Sequence, residues 1–85
     1  MNYKFELNKD VKKFLLKHED ISISFFKKLE ILLQSPFSNN LDIKPLKWYK
    51  DHYRLRIWKY RFLYEIIDQK ILIYFYDADS RWDIY

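Results

Sequence analysis

No glycine occurs anywhere in the 85 residues. Glycine enters positive φ without a steric penalty, so every tight turn here has to be built from residues that resist that conformation. The same absence excludes a Walker loop, a dinucleotide-binding fingerprint and any glycine turn wrapped around a phosphate. Cysteine is missing as well, which removes disulfides and thiolate zinc sites, the usual staples of small folds. Two histidines, His18 and His52, are too few for a histidine metal cage, and no residue pattern calls for a metal or a cofactor. A chain of this length is expected to form a single domain, residues 1–85, burying roughly 60% of its unfolded surface. Its core must come from side chains alone. The composition is suited to that, at 49% hydrophobic and 21% aromatic, with eight Tyr, seven Phe and three Trp.

Sixteen basic against twelve acidic residues leave a net charge of +4. That is compatible with a polyanionic partner without demanding one. No apolar run approaches the roughly 18 residues of a membrane span, and the opening Met1-Asn2-Tyr3-Lys4-Phe5-Glu6 lacks the apolar stretch of a signal peptide. The expectation is a cytoplasmic protein with no membrane partner, no low-complexity segment and no internal repeat.

Tyr3, Phe5 and Leu7 alternate with polar residues, the period of a half-buried strand. Asn8 is a candidate N-cap for a short helix to His18, with Val11, Phe14, Leu15 and His18 on one face. Asp20 is the candidate cap of a second helix, whose stripe is Phe25, Phe26, Leu29, Leu32 and Leu33. Ser35-Pro36 ends it, because a residue before proline avoids the helical region. After an irregular stretch around residues 37–40 the texture turns to strands: Tyr53 to Trp58, Tyr60 to Ile67, and Ile71 to Tyr76. The order is strand, two helices, then a three-stranded meander. It predicts an α+β domain with an antiparallel-dominated sheet, both helices on one face, and the first strand beside the meander or at its edge.

Arginine is the most informative residue type. Twelve lysines are spread along the chain, but all four arginines, Arg54, Arg56, Arg61 and Arg81, fall in the strand half. A two-residue turn at Trp58-Lys59 sets Arg56 directly opposite Arg61, with Arg54 on the same face and Leu55, Ile57, Phe62 and Tyr64 on the other. Like charges facing each other destabilise a sheet, and a planar guanidinium suits a bidentate, permanently charged grip on phosphate. The alternative is a solvated surface network in which the arginines pair with Glu65, Asp77, Asp79 or Asp83. A second two-residue turn at Asp68-Gln69 would bring Tyr76 opposite Arg61, placing a ring suited to base stacking on the arginine face.

Leu46-Lys47-Trp48, Tyr53-Arg54-Leu55-Arg56-Ile57, Tyr60-Arg61-Phe62-Leu63-Tyr64-Glu65-Ile66 and Ser80-Arg81-Trp82-Asp83-Ile84-Tyr85 together resemble the RelE/ParE toxin superfamily, across nearly the whole chain. The resemblance implies a RelE-like fold. It also implies the toxin of a toxin–antitoxin pair: an endoribonuclease that cuts mRNA in the ribosomal A site and inhibits translation, without a metal. Carried over by position, it assigns Arg54, Arg56, Arg61, Arg81 and Tyr85 to the catalytic set. Lys47 and Tyr76 stand beside that set as candidate RNA-binding side chains. The implied partners are a cognate antitoxin, mRNA and the ribosome.

In such chemistry the 2′-hydroxyl attacks the adjacent phosphorus and leaves a 2′,3′-cyclic phosphate. Charge on the phosphorane must be stabilised and protons moved at both oxygens. Arg61 and Arg81 would hold the phosphate, Arg54 and Arg56 the backbone or the proton transfers, and Tyr85 a nucleotide. The chain departs from the family at Trp58 and Trp82, where glycine is common, and at Ser80, where some branches carry histidine. His52 reads as an exposed hairpin residue outside the arginine alternation, and Glu65 as an arginine's salt-bridge partner. Two other readings stay open: a ParE-type, non-enzymatic inhibitor of DNA gyrase, and an inactive relic that only binds its antitoxin.

Overall fold

The computed structural model describes residues 2–79. Arg81 and Tyr85, with Ser80 and Trp82, lie outside the described residues. The elements run β1 (Lys4–Leu7), α1 (Lys9–Lys17), α2 (Glu19–Gln34), β2 (Ile43–Pro45), β3 (His52–Ile57), β4 (Tyr60–Ile67) and β5 (Leu72–Asp79), with a 3₁₀ turn at Asp68–Lys70 between the last two. The described residues form an α+β fold around a five-stranded sheet of order β1-β5-β4-β3-β2. Only the β1–β5 pair is parallel. The first strand sits at an edge, paired with the last strand of the meander, one of the two placements expected for it.

Asn8 caps α1 as its type and place predict, its side-chain oxygen accepting from the Val11 N–H at 2.9 Å. The second cap differs from expectation. Glu19 opens α2 with His18 at the cap position, making no side-chain hydrogen bond there. Asp20 falls inside the first turn and accepts only from the neighbouring Ile21 N–H. The two helices thus share His18 as joint, too tight a connection for a separate Asp20 cap. Val11, Leu15, Ile21, Phe25, Leu29 and Leu32 bury against Leu55, Ile57, Phe62, Tyr64, Ile66, Ile73 and Phe75, all from one face of the sheet. Phe26, expected in the stripe, is 43% exposed and meets Phe5 of β1 edge-on.

Among the described residues there is one strand more than the alternation predicts. Ile43–Pro45 is too short to show a period, yet it pairs antiparallel with β3 at the far edge. Proline is tolerable there because an edge strand leaves N–H positions unused. The turns are made without glycine by letting Asp51, Trp58 and Ile71 take φ of 63°, 56° and 50°. Trp58-Lys59 is the two-residue turn anticipated, with Ile57 paired to Tyr60.

The β4–β5 connection is not a two-residue turn. It takes the 3₁₀ turn plus Ile71, and the register then slips between Leu63, paired with Asp77, and Tyr64, paired with Phe75. Tyr76 is the extra residue of that bulge. The longer turn and the bulge together put Asp79, not Tyr76, opposite Arg61.

Candidate functional site

Opposite the helices, β3 presents His52, Arg54 and Arg56, and β4 presents Arg61 and Glu65. Arg56 is the direct cross-strand partner of Arg61. Two arginines therefore stand at opposed backbone positions on adjacent strands, with Arg54 two residues away from Arg56, about 6.6 Å along β3. The gathering predicted from spacing is present for Arg54, Arg56 and Arg61.

Their environment is not the open surface that spacing implied. Arg61 is only 2% exposed and Arg54 only 7%. The carboxylate that meets β3 is also not among those expected. Asp42 accepts from Arg54 Nη2 at 3.2 Å and from Arg56 Nε at 3.0 Å, while its backbone carbonyl accepts from the Arg56 N–H at 2.9 Å. Asp42 immediately precedes β2, so the short edge strand is what brings it alongside β3. The missed signal was Leu41-Asp42-Ile43, whose one-residue alternation is visible only once β2 is known to pair. Glu65 meets His52 instead of an arginine, with 3.8 Å between Oε2 and Nε2.

A second group of side chains lies further along the same face. His52 is the first residue of β3, in parity with Arg54 and Arg56, and half-buried. This corrects its reading as an exposed residue outside the arginine alternation. Its Nδ1 lies 2.9 Å from the Tyr76 hydroxyl, and its ring contacts those of Tyr49 and Tyr76. The bulge makes this contact, since an extra residue re-aims a side chain. It also takes the Tyr76 carbonyl out of regular pairing, and the Asn8 side-chain amide donates to it at 2.7 Å. Burial raises the Tyr76 phenol above the ordinary tyrosine value, and Glu65, Asp77 and Tyr49 push the same way. No motif joins residues 8, 52, 65 and 76, so only the register reveals this cluster.

Lys47 stands in the exposed connection between β2 and β3, its ammonium 5.3 Å from the Trp48 ring centroid. That is the His52 end of β3; Arg56 lies four residues away, about 13 Å along the strand. The structure thus brings Arg54, Arg56 and Arg61 together, sets Tyr76 beside His52, and leaves Lys47 at the far end. Among the described residues no group of three His, Cys, Asp or Glu side chains is placed to hold a metal ion. No helix among them is long and apolar enough to cross a membrane.

No family model matches the chain, and no curated protein matches it. Solved structures do. A chain of the archaeal RelE–RelB complex from Pyrococcus horikoshii OT3 superposes with a TM-score of 0.79 at 23% identity, covering 98% of this chain and 99% of that one. The isolated E. coli RelE toxin gives 0.75 at 22% identity, over 98% and 90% of the two chains. The RelB–RelE antitoxin–toxin complex from Methanococcus jannaschii gives 0.67 at 28% identity, over 89% and 87%.

Proposed function

Because the chain has the RelE fold, we propose that it is the toxin of a toxin–antitoxin pair and a ribosome-dependent endoribonuclease that cuts mRNA and stops translation. The observation that carries the activity is the Arg56–Arg61 cross-strand pair with Arg54 beside it. Asp42 already meets Arg54 and Arg56, so an RNA phosphate would take the place of a carboxylate that these guanidiniums are built to hold. The arrangement needs no glycine loop, because charge is delivered by side chains of a rigid sheet rather than by backbone N–H groups.

In this reading the 2′-hydroxyl attacks the adjacent phosphorus, the guanidiniums stabilise the phosphorane, and the 5′-oxygen leaves. Arg81 and Tyr85 are proposed to complete the set on the strength of the sequence resemblance. Lys47, with Trp48, is proposed to guide the strand at the far end of the face. The proposed partner is an antitoxin whose acidic side chains meet the arginine face. RelE chains are in complex with RelB in the Pyrococcus and Methanococcus structures, which supports that expectation.

The test is to add the purified chain to a defined translation mixture and, separately, to the same mRNA without ribosomes. Cleavage confined to the ribosome-bound message, with a 2′,3′-cyclic phosphate on the upstream fragment, is the expected result. Intact message at equimolar protein and ribosome would overturn it. Inhibition of gyrase supercoiling with translation untouched would put the ParE-type reading in its place.

A further inference from the structure

The cluster of His52, Tyr76 and Glu65 has the connectivity of a hydroxyl–imidazole–carboxylate relay. The Tyr76 hydroxyl is 2.9 Å from His52 Nδ1, and His52 Nε2 faces Glu65 Oε2 at 3.8 Å. All three side chains are part-exposed, on the sheet face that carries the arginines. His52 and Arg54 are separated by a single residue on β3, so their backbone positions lie about 6.6 Å apart along the strand and Arg54 is the arginine next to the relay. A chain of hydroxyl, base and orienting third group is the arrangement by which proteins draw the proton from a hydroxyl, and a hydroxyl so relieved can itself take up a proton. The fold invests in it, since a β-bulge turns Tyr76 toward His52 and Asn8 takes up the carbonyl that the bulge displaces.

We propose that Tyr76 and His52 form the proton acceptor for the 2′-hydroxyl in RNA cleavage, with Glu65 as the positioning residue that orients the imidazole. This rests on the reading of the chain as an endoribonuclease. Glu65 beside Nε2 favours the tautomer with hydrogen on Nε2, leaving Nδ1 to accept from the Tyr76 O–H. The raised phenol agrees with that assignment, because it keeps Tyr76 protonated and donating. As the 2′-oxygen bonds to phosphorus, its proton passes to the Tyr76 oxygen while the Tyr76 proton passes to His52 Nδ1. The imidazolium so formed is stabilised by the Glu65 carboxylate. The bond from phosphorus to the 5′-oxygen breaks, that oxygen takes a proton from solvent water, and His52 returns its proton to solvent.

The experiment measures single-turnover cleavage of a ribosome-bound mRNA by wild type, His52→Ala and Tyr76→Phe, with ribosome binding measured alongside. Each variant is expected to cleave roughly a hundredfold more slowly, the lower range for loss of a general base, while binding ribosomes as wild type does. The double variant is expected to be no more than a few-fold slower than either single one, since the two act as one unit. Added imidazole is expected to restore part of the His52→Ala rate, which a merely structural histidine would not allow. Wild-type rates in both variants, or a His52→Ala defect that imidazole leaves unchanged beside an active Tyr76→Phe, would overturn the relay. Absence of cleavage by wild type would instead overturn the endoribonuclease reading on which the relay rests.

Discussion

Trp58 holds φ at 56° in the β3–β4 turn while its side chain stands 67% exposed. A left-handed conformation costs an L-residue about 1–2 kcal/mol, and glycine gives part of that back as lost chain entropy. Trp58→Gly is therefore expected to stabilise the protein by about 0.5–1 kcal/mol, read as a higher urea midpoint at unchanged slope. Tyr64 presents a different conflict, a fully buried phenol whose hydroxyl has no hydrogen-bond partner among the described residues. Tyr64→Phe is expected to leave stability unchanged or raise it by up to about 1 kcal/mol, because only an unsatisfied hydroxyl is removed; thermal unfolding checks this. Burial first, and Tyr53 second, raise the Tyr64 phenol above its ordinary value. A raised phenol means that above about pH 10 the folded state holds more protons than the unfolded one. Stability is thus unaffected by this group below about pH 10 and falls as pH rises beyond it. Urea melts at stepwise higher pH should show that fall, and a shallower one in Tyr64→Phe.

At the scale of elements, β2 decides the character of the site. It is three residues long, yet it delivers Asp42 to both Arg54 and Arg56. Asp42→Asn is expected to cost about 1–2 kcal/mol, an ion pair with a buried arginine discounted for the exposure of the aspartate. It should also tighten binding of a short single-stranded RNA, most strongly at low salt, since two guanidiniums lose their competing carboxylate; titration at two salt concentrations reads both effects. The helices, the long strands and the Arg56–Arg61 register were legible because the apolar period over Val11–Leu15, Phe25–Leu32 and Tyr53–Tyr64 is sustained. β2 was not, since Ile43-Lys44-Pro45 is too short for a period and ends in a residue that argues against a strand. The Tyr76 position was not legible either. It depends on Ile71 adopting a glycine-like φ and on a bulge, and neither leaves a mark in residue type. Burial of Arg61 also went unseen, because alternation assigns a face without saying what covers it. Arg61→Ala is accordingly expected to lower stability as well as activity. Arg56→Ala, at a side chain 42% exposed, is the cleaner probe.

For the molecule as a whole, the absence of glycine and the proposed chemistry meet in one sheet. Its helix-covered face is a continuous apolar core, which leaves the opposite face to carry charge. The arginines stand there at the β3–β4 end and the His52–Tyr76–Glu65 cluster further along. A phosphate held by such a face is gripped by guanidiniums on rigid strands, in keeping with a chain that has no glycine from which to build a phosphate-binding turn. The most direct test compares wild type with Arg56→Ala on one ribosome-bound mRNA, with thermal unfolding run in parallel. The expected result is cleavage by wild type, at least a hundredfold slower cleavage by the variant if the guanidinium stabilises the transition state as an oxyanion-hole donor does, and matching unfolding curves. Equal cleavage by both proteins, or none by wild type, would contradict the account.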